Sequence, residues 1–252
     1  MATLLVIDTA TLQASVAVVA GAPTGPVPPV RVLGRAAAAV TTHSETLLSL
    51  VAEALRQAGL GPAAVDAVGC GAGPGSFTGL RIGLCTAKGL CYATGRPLVM
   101  ASSLRALALG VAPGAIRAPR GAATDTAGAL VGAVLDAKKG EVYCGFFRGA
   151  VAEPVAAEVA IPPAAFAAHA AAVAAGAPLV LCGSGVRAYP AEVAAAAGAR
   201  LLEGSLGPDA VEVGRLCLER LGTRGPVDLA TAAPTYMRPS EAEVQRRRRG
   251  DA

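Results

Sequence analysis

The hydrophobic and polar positions of the chain fall into blocks with two different periods. Leu4 to Asp8 is an unbroken apolar run closed by a carboxylate, and it predicts a buried strand. A polar turn, Thr9 to Gln13, leads into Ala14 to Val19, which alternates and predicts an antiparallel return strand. Pro23 to Pro29 is a loop, and Val30 to Val40 predicts a third strand that completes a meander. From His43 to Ala58 the period changes. Leu47, Val51 and Leu55 recur every fourth residue with Leu48 beside them, which predicts an amphipathic helix. Thr42 and Glu45 form a capping box at its start, and Gly59 ends it. Val65 to Gly71 predicts the next strand, followed by the turn Gly73-Pro74-Gly75 and a helix capped by Ser76 that runs to Thr94. Pro97 to Met100 predicts a short strand, and Ser103 is expected to cap a helix through Leu109.

Gly110 to Thr126 is rich in Pro, Gly, Ala and Thr and reads as a domain junction. Beyond it the opening pattern returns. Ala129 to Asp136 is again an apolar strand ending in Asp, Ala137 to Gly140 is a turn, and Glu141 to Phe147 alternates. Helices are expected near 163–175, 186–197 and 209–222, with strands near 178–182 and 200–202. Strand hairpins followed by alternating helices and strands predict an α/β sandwich, and the repeated Asp-led hairpin predicts a duplication. The expected organisation is a first lobe over 1–110, a second over 111–240 whose last helix packs back on the first, and a basic, unstructured tail over 241–252.

Composition changes this picture little. The chain is 53% hydrophobic with mean hydropathy +0.52, but alanine dominates and the longest apolar-looking run, Ala164 to Leu181, is broken by His169, Gly176 and Pro178. With no signal-peptide pattern at Met1 to Asp8, a cytoplasmic protein without membrane contact is expected. Arg246 to Arg249 account for the whole net charge of +4, so the body lacks the basic excess of a direct nucleic-acid binder. The six cysteines form no C-x-x-C pair and read as free thiols, and without His or Cys at ligand spacing no zinc site is expected.

Candidate chemistry is sparse. Turns carrying Asp8, Thr9, Thr11 and Asp136, with the Gly183-Ser184-Gly185 turn, are the places where a cleft could hold nucleotide phosphates and magnesium. The same residues equally serve as plain turns. The block Gly73 to Gly83 lacks both the Gly-Lys-Ser/Thr ending of a phosphate loop and dinucleotide-site spacing. Gly79, Gly83 and Ala87 stand four apart and make a smooth stripe, fitting either close internal packing or a docking face for another helix. Neither His43 nor His169 has a nucleophile and orienting acid around it, and no Gly-x-Ser-x-Gly elbow is present.

Taken together, Ile7 to Thr11, His43 to Leu48, Gly73 to Gly83, Asp136 to Tyr143 and Pro234 to Arg238 resemble the TsaB (YeaZ) family in order and spacing over nearly the whole chain. The Gly-Pro-Gly-Ser-Phe-Thr-Gly-Leu-Arg block is the most specific of these. The resemblance implies a duplicated, two-lobed actin-like ATPase (ASKHA, RNase H-like) fold and no catalytic residues. It implies a scaffold subunit that pairs with the catalytic paralogue TsaD, which moves threonylcarbamoyl from its adenylate to the adenosine adjoining the anticodon. The small ATPase TsaE would join at the shared surface, tRNA would be met indirectly, and the chain alone could form a homodimer. TsaD holds its metal with a His-x-x-x-His pair that this sequence lacks. No cofactor is required, with weak ATP or ADP binding left open. Carried over, the pairing surface is His43, Leu47, Leu48, Val51, Leu55, Ser76, Gly79, Leu80, Gly83, Leu84 and Ala87, so that Gly83→Leu is expected to block pairing and spare the fold. A small-molecule kinase using Asp8 and Asp136 is the alternative, and a metallopeptidase is disfavoured by the missing His pair.

Overall fold

The computed structural model describes residues 1–39, 43–111, 129–196, 200–202 and 207–238; within these the side chains of residues 43–45 and 200 are left undescribed. The capping box of Thr42 and Glu45, nearly all of the junction and the tail with Arg246 to Arg249 lie outside the described residues. Among the described residues no helix is long and apolar enough to cross a membrane.

The first hairpin pairs β1 (Ala2–Asp8) with β2 (Gln13–Gly21) in antiparallel register, Asp8 opposite Ser15. Strand β3 (Arg31–Ala39) follows, and helix α1 (His43–Ala58) packs over β3 and β2. Strand β4 (Ala67–Gly71) then joins β1 in parallel; helix α2 (Phe77–Thr94) leads to β5 (Leu98–Ala101), parallel to β4. The sheet order is β3-β2-β1-β4-β5. Helix α3 (Ser103–Leu109) leaves this sheet and packs on the next.

The second sheet repeats the plan. Strand β6 (Leu130–Lys138) and β7 (Glu141–Arg148) form the hairpin, with β8 (Glu153–Pro154) and β9 (Val159–Ile161) both pairing with β7. After helix α4 (Pro163–Ala174), β10 (Leu179–Cys182) joins β6 in parallel. Helices α5 (Ser184–Ala188) and α6 (Pro190–Ala194) lead to β11 (Arg200–Leu202), parallel to β10. The order β11-β10-β6-β7-β8 is that of the first sheet run through an equivalent series, with β6 in the place of β1. This is the duplicated RNase H-like arrangement of the actin-like ATPases.

Side-chain alternation explains the layers. Leu4 and Val6 of β1 face one cluster while Leu5 and Ile7 face another. On β6, Val131, Ala133 and Leu135 face that same first cluster, whereas Leu130 and Val134 face a third. The shared cluster is filled by Leu104 and Leu107 of α3 and by Val213, Leu216 and Cys217 of α7 (Ala210–Thr223), so two helices are sandwiched between the two sheets. Helix α7 lies across β1, β2, β4 and β5. Helices α1 and α2 cover the far side of the first sheet, and α4 to α6 the far side of the second.

Three local expectations are corrected. The helix expected over 186–197 is two short helices, because Pro190 has no N–H to continue the first. The cap of α3 is Ser102, which accepts the Arg105 N–H at 3.0 Å, so Ser103 becomes the first helical residue. Strands β8 and β9, of two and three residues, were not expected from the sequence; they are too short to show a period. The loop over Pro23 to Pro29 is as expected, and Arg215 holds it by donating to the carbonyls of Val27 and Pro28.

Candidate functional site

Of the residues that the sequence singles out, Asp8, Thr9 and the Gly73 to Gly83 block converge on the β1–β2 hairpin and the start of α2. Asp8 closes β1 with a fully buried carboxylate. Its Oδ1 accepts the Ala10 N–H at 2.9 Å and its Oδ2 the Ser103 hydroxyl at 2.7 Å. Ser103 in turn accepts the Gly73 N–H at 3.2 Å, tying the loop before α2 to the hairpin. A Cβ on Gly71 would overlap Asp8 Oδ2, so the end of β4 is glycine because the carboxylate occupies that space. Burial raises the Asp8 pKa to about 6; the bonds from Ala10 and Ser103 oppose this and the Asp209 charge adds to it.

The second hairpin repeats the device. Asp136 Oδ1 accepts the Lys138 N–H at 2.8 Å, two residues on, as Asp8 does with Ala10. Its Oδ2 pairs with Lys138 Nζ at 2.7 Å, and Ser184 Oγ accepts the Asp136 N–H at 3.1 Å. Both aspartates are therefore turn-formers with their oxygens engaged inside the chain.

The other nucleotide candidates also have internal duties. Thr9 is buried and donates to the Gly79 carbonyl at 2.8 Å. Thr11 Oγ1 accepts the Gln13 N–H at 3.2 Å, and a Cβ on Gly207 would come within 2.8 Å of that oxygen. Gly183 has φ +106, and side chains on Gly183 or Gly185 would collide with Val134 of β6. Close approach of strand and turn accounts for both glycines.

The Gly73 to Gly83 block is explained in the same way. Ser76 N–H donates to the Ala10 carbonyl at 2.7 Å, and a Cβ on Gly75 would overlap that carbonyl. Ser76 Oγ accepts the Gly79 N–H at 3.2 Å as the α2 cap. A Cβ on Gly83 would overlap Thr9 Oγ1. The Pro234 to Arg238 segment meets this block in space. Thr235 N–H donates to the Ala72 carbonyl at 2.8 Å, Tyr236 packs on Phe77 with ring centroids 4.9 Å apart and planes tilted by 35°, and Arg81 Nε donates to Tyr236 Oη at 2.9 Å. The Arg81 guanidinium stands 4.0 Å over the Phe77 ring. Arg238 then reaches the second hairpin, pairing with Glu141 at 2.7 Å.

Most of the side chains expected at the docking surface turn inward. Gly79, Leu80, Gly83, Leu84 and Ala87 are buried on the first sheet, as are Leu47, Val51 and Leu55 of α1. They belong to the protein's own core. Of the expected set, Leu48 is exposed at 60% and Ser76 is exposed; the His43 side chain lies outside the described residues. The solvent face of the same two helices carries other residues: Ser49 and Ala52 on α1, and Arg81, Cys85, Gly89 and Tyr92 on α2, Tyr92 exposed at 87%. Gly89 is the telling position, because a Cβ there would meet nothing within 4 Å. A mid-helix glycine costs about 1 kcal/mol relative to alanine, and no contact among the described residues requires this one. The sequence signal for this face was the second row of small residues, Cys85, Gly89 and Ala93, one helical face away from the first.

Against known proteins, a family model described as "TsaD: tRNA N6-adenosine threonylcarbamoyltransferase" matches residues 37–173, more than half of the chain. The chain is 43% identical over 67 residues to tRNA threonylcarbamoyladenosine biosynthesis protein TsaB of Haemophilus influenzae, covering 27% of this chain and 28% of that protein. It is 34% identical over 101 residues to the Escherichia coli protein of the same name, covering 40% of this chain and 39% of the relative. The aligned stretches thus span well under half the length of these curated relatives. A solved structure from Pseudomonas aeruginosa, described as an uncharacterized protein with similarity to peptidase YEAZ, superimposes with a TM-score of 0.74 at 28% identity, covering 94% of this chain and 100% of that one. The chain belongs to the family of that matching model, tRNA N6-adenosine threonylcarbamoyltransferase, and within it to the TsaB/YeaZ proteins.

Proposed function

We propose that the protein takes part in tRNA threonylcarbamoyladenosine biosynthesis as a non-catalytic scaffold subunit. In this reading it binds and activates a TsaD-type transferase that modifies the adenosine next to the anticodon. The observation that carries the reading is the state of the two Asp hairpins. Asp8, Thr9 and Asp136 are committed to internal hydrogen bonds, so the positions that would grip phosphates or a metal in this fold serve architecture instead. In this reading the scaffold requires no nucleotide of its own, and weak ATP or ADP binding stays open.

The docking face is the solvent side of α1 and α2, centred on Leu48, Ala52, Cys85, Gly89 and Tyr92. Small residues let a partner helix approach closely, while Leu48 and Tyr92 supply the apolar and aromatic anchors that concentrate binding energy. The same face would hold a second copy when the chain is alone. A TsaE-type ATPase would bind at the rim of the pair, and tRNA would be reached through the transferase in the cytoplasm.

The test is co-purification with the TsaD-type protein of the same organism, followed by a tRNA threonylcarbamoylation assay with and without this chain. Stable association and activity that depends on this chain are expected. No association, together with ATP hydrolysis or phosphoryl transfer by this chain alone, overturns the reading.

A further inference from the structure

After α7 the chain runs back over the first sheet and ends on the second, and contacts fix it along the way. Val227 N–H donates to the Leu98 carbonyl at 2.9 Å, which lays the segment against β5. Val227, Leu229 and Ala232 pack on the outer cluster of the first sheet. Thr235 is bonded to Ala72, and Tyr236 lies against Phe77 and Arg81 at the start of α2. Met237 packs instead on the cluster that the two sheets share. Arg238 completes the crossing. Its Nη1 stands 2.7 Å from Glu141 Oε2 and 3.3 Å from each of the Ala137 and Lys138 carbonyls.

The turn on which Arg238 lands needs support. Lys138 and Lys139 have φ of +60° and +54°, in the left-handed region that residues with a Cβ seldom occupy. Such backbone persists where surrounding contacts over-determine it. The turn supplies one contact itself, the Lys138 N–H on Asp136, and Arg238 adds two carbonyl bonds and an ion pair from outside. The opposite anchor is on the first lobe, where Arg81 donates to Tyr236 and covers Phe77. The loop before α2 is tied in turn to the first hairpin by the Ser76 N–H on the Ala10 carbonyl. The path therefore runs from the tip of one Asp hairpin to the tip of the other.

We propose that residues 227–238 are a strap that holds the two hairpin tips at a fixed spacing. The chain itself then makes the link that a ligand bound across both tips would otherwise make. The anchors at Arg81 and at Glu141, on different lobes, act as one device, and detaching either end frees the second tip.

The strap is tested by hydrogen exchange, read by mass spectrometry on the purified full chain at a concentration where light scattering shows a monomer. The readout is the peptide over 137–141, and the control is β10. Arg238→Ala should speed exchange over 137–141 about tenfold and leave β10 unchanged. Arg81→Met, a change on the first lobe, should speed the same second-lobe peptide by about threefold or more. The double variant should exchange there no faster than Arg238→Ala alone, because a strap released at one end has nothing further to lose. Should Arg238→Ala fold poorly, Glu141→Gln removes the ion pair from the hairpin side and should speed the peptide in the same direction, with Arg81→Met again adding nothing. Exchange over 137–141 left unchanged by Arg81→Met, an additive double variant, or equal acceleration in β10 overturns the strap.

Discussion

The hydroxyl of Thr9 lies 2.8 Å from the carbonyl oxygen of Gly79 and fills the space that a side chain on Gly83 would need. One turn of α2 is thereby keyed to the tip of the first hairpin. Gly83→Ala should overpack this joint and lower the stability by about 1–3 kcal/mol, read as a shift in the urea midpoint at unchanged m-value. Gly83→Leu should yield little folded protein, which reverses the expectation that the bulky variant spares the fold. A stably folded Gly83→Leu would show that α2 is free to lift off the hairpin.

Gly89 behaves oppositely. Because an added Cβ meets nothing, Gly89→Ala should raise stability by about 0.5–1 kcal/mol. Gly89→Leu should keep the thermal midpoint of the parent yet lose association with the TsaD-type partner in size-exclusion chromatography. Undiminished association of Gly89→Leu would move the docking face elsewhere.

Asp8 gives the fold a pH dependence of defined sign. Its pKa is about 6 in the folded protein, against 3.8 for an unperturbed aspartate. The folded state therefore holds a proton that the unfolded state has released, and stability contributed by this group falls as pH rises from about 4 to about 6. Asp8→Asn can keep the Ala10 bond through its oxygen and replace the other by its NH2 donating to Ser103 Oγ, and it has no charge to desolvate. At pH 7.5 it should be more stable than the parent, by on the order of 1–3 kcal/mol, and the gap should shrink toward pH 4. Denaturant melts of both proteins at several pH values check this, and a gap independent of pH would contradict it.

Arg105 of α3 donates to the Val151 and Ala152 carbonyls at 3.0 and 2.9 Å and pairs with Glu219 of α7 at 3.1 Å. It thus joins the turn after β7 to a helix of the first sheet. Arg105→Ala should cost about 1.5–3 kcal/mol, since it leaves a half-buried carboxylate and two carbonyls without their donor. Hydrogen exchange should show the loss spread over both sheets; a loss confined to residues 149–154 would make the contact purely local.

The strand–hairpin pattern and its repetition were legible because apolar runs ending in Asp are set by buried strands and their turns, at positions 4–8 and 129–136 alike. Which face of α2 turns inward was not. The helix carries two rows of small residues, Gly79-Gly83-Ala87 and Cys85-Gly89-Ala93, and periodicity alone does not orient them. The Thr9 contact that decides it joins residues 70 apart in the chain. The one-residue error at Ser102 and Ser103 had the same origin, since two adjacent serines are equal candidates until Asp8 claims one of them.

The place of α7 bears on how the chain is made. Leu4, Val6, Val19 and Val99 of the first sheet share their cluster with Val213, Leu216, Cys217 and Leu218, the last buried residues of that cluster to be synthesised. At a translation rate of about 5–20 residues per second, this side of the sheet waits on the order of ten seconds for its covering helix. During that interval a nascent chain exposes an apolar sheet surface. Translation stalled before residue 210 should therefore leave a species that chaperones hold rather than a finished N-terminal lobe.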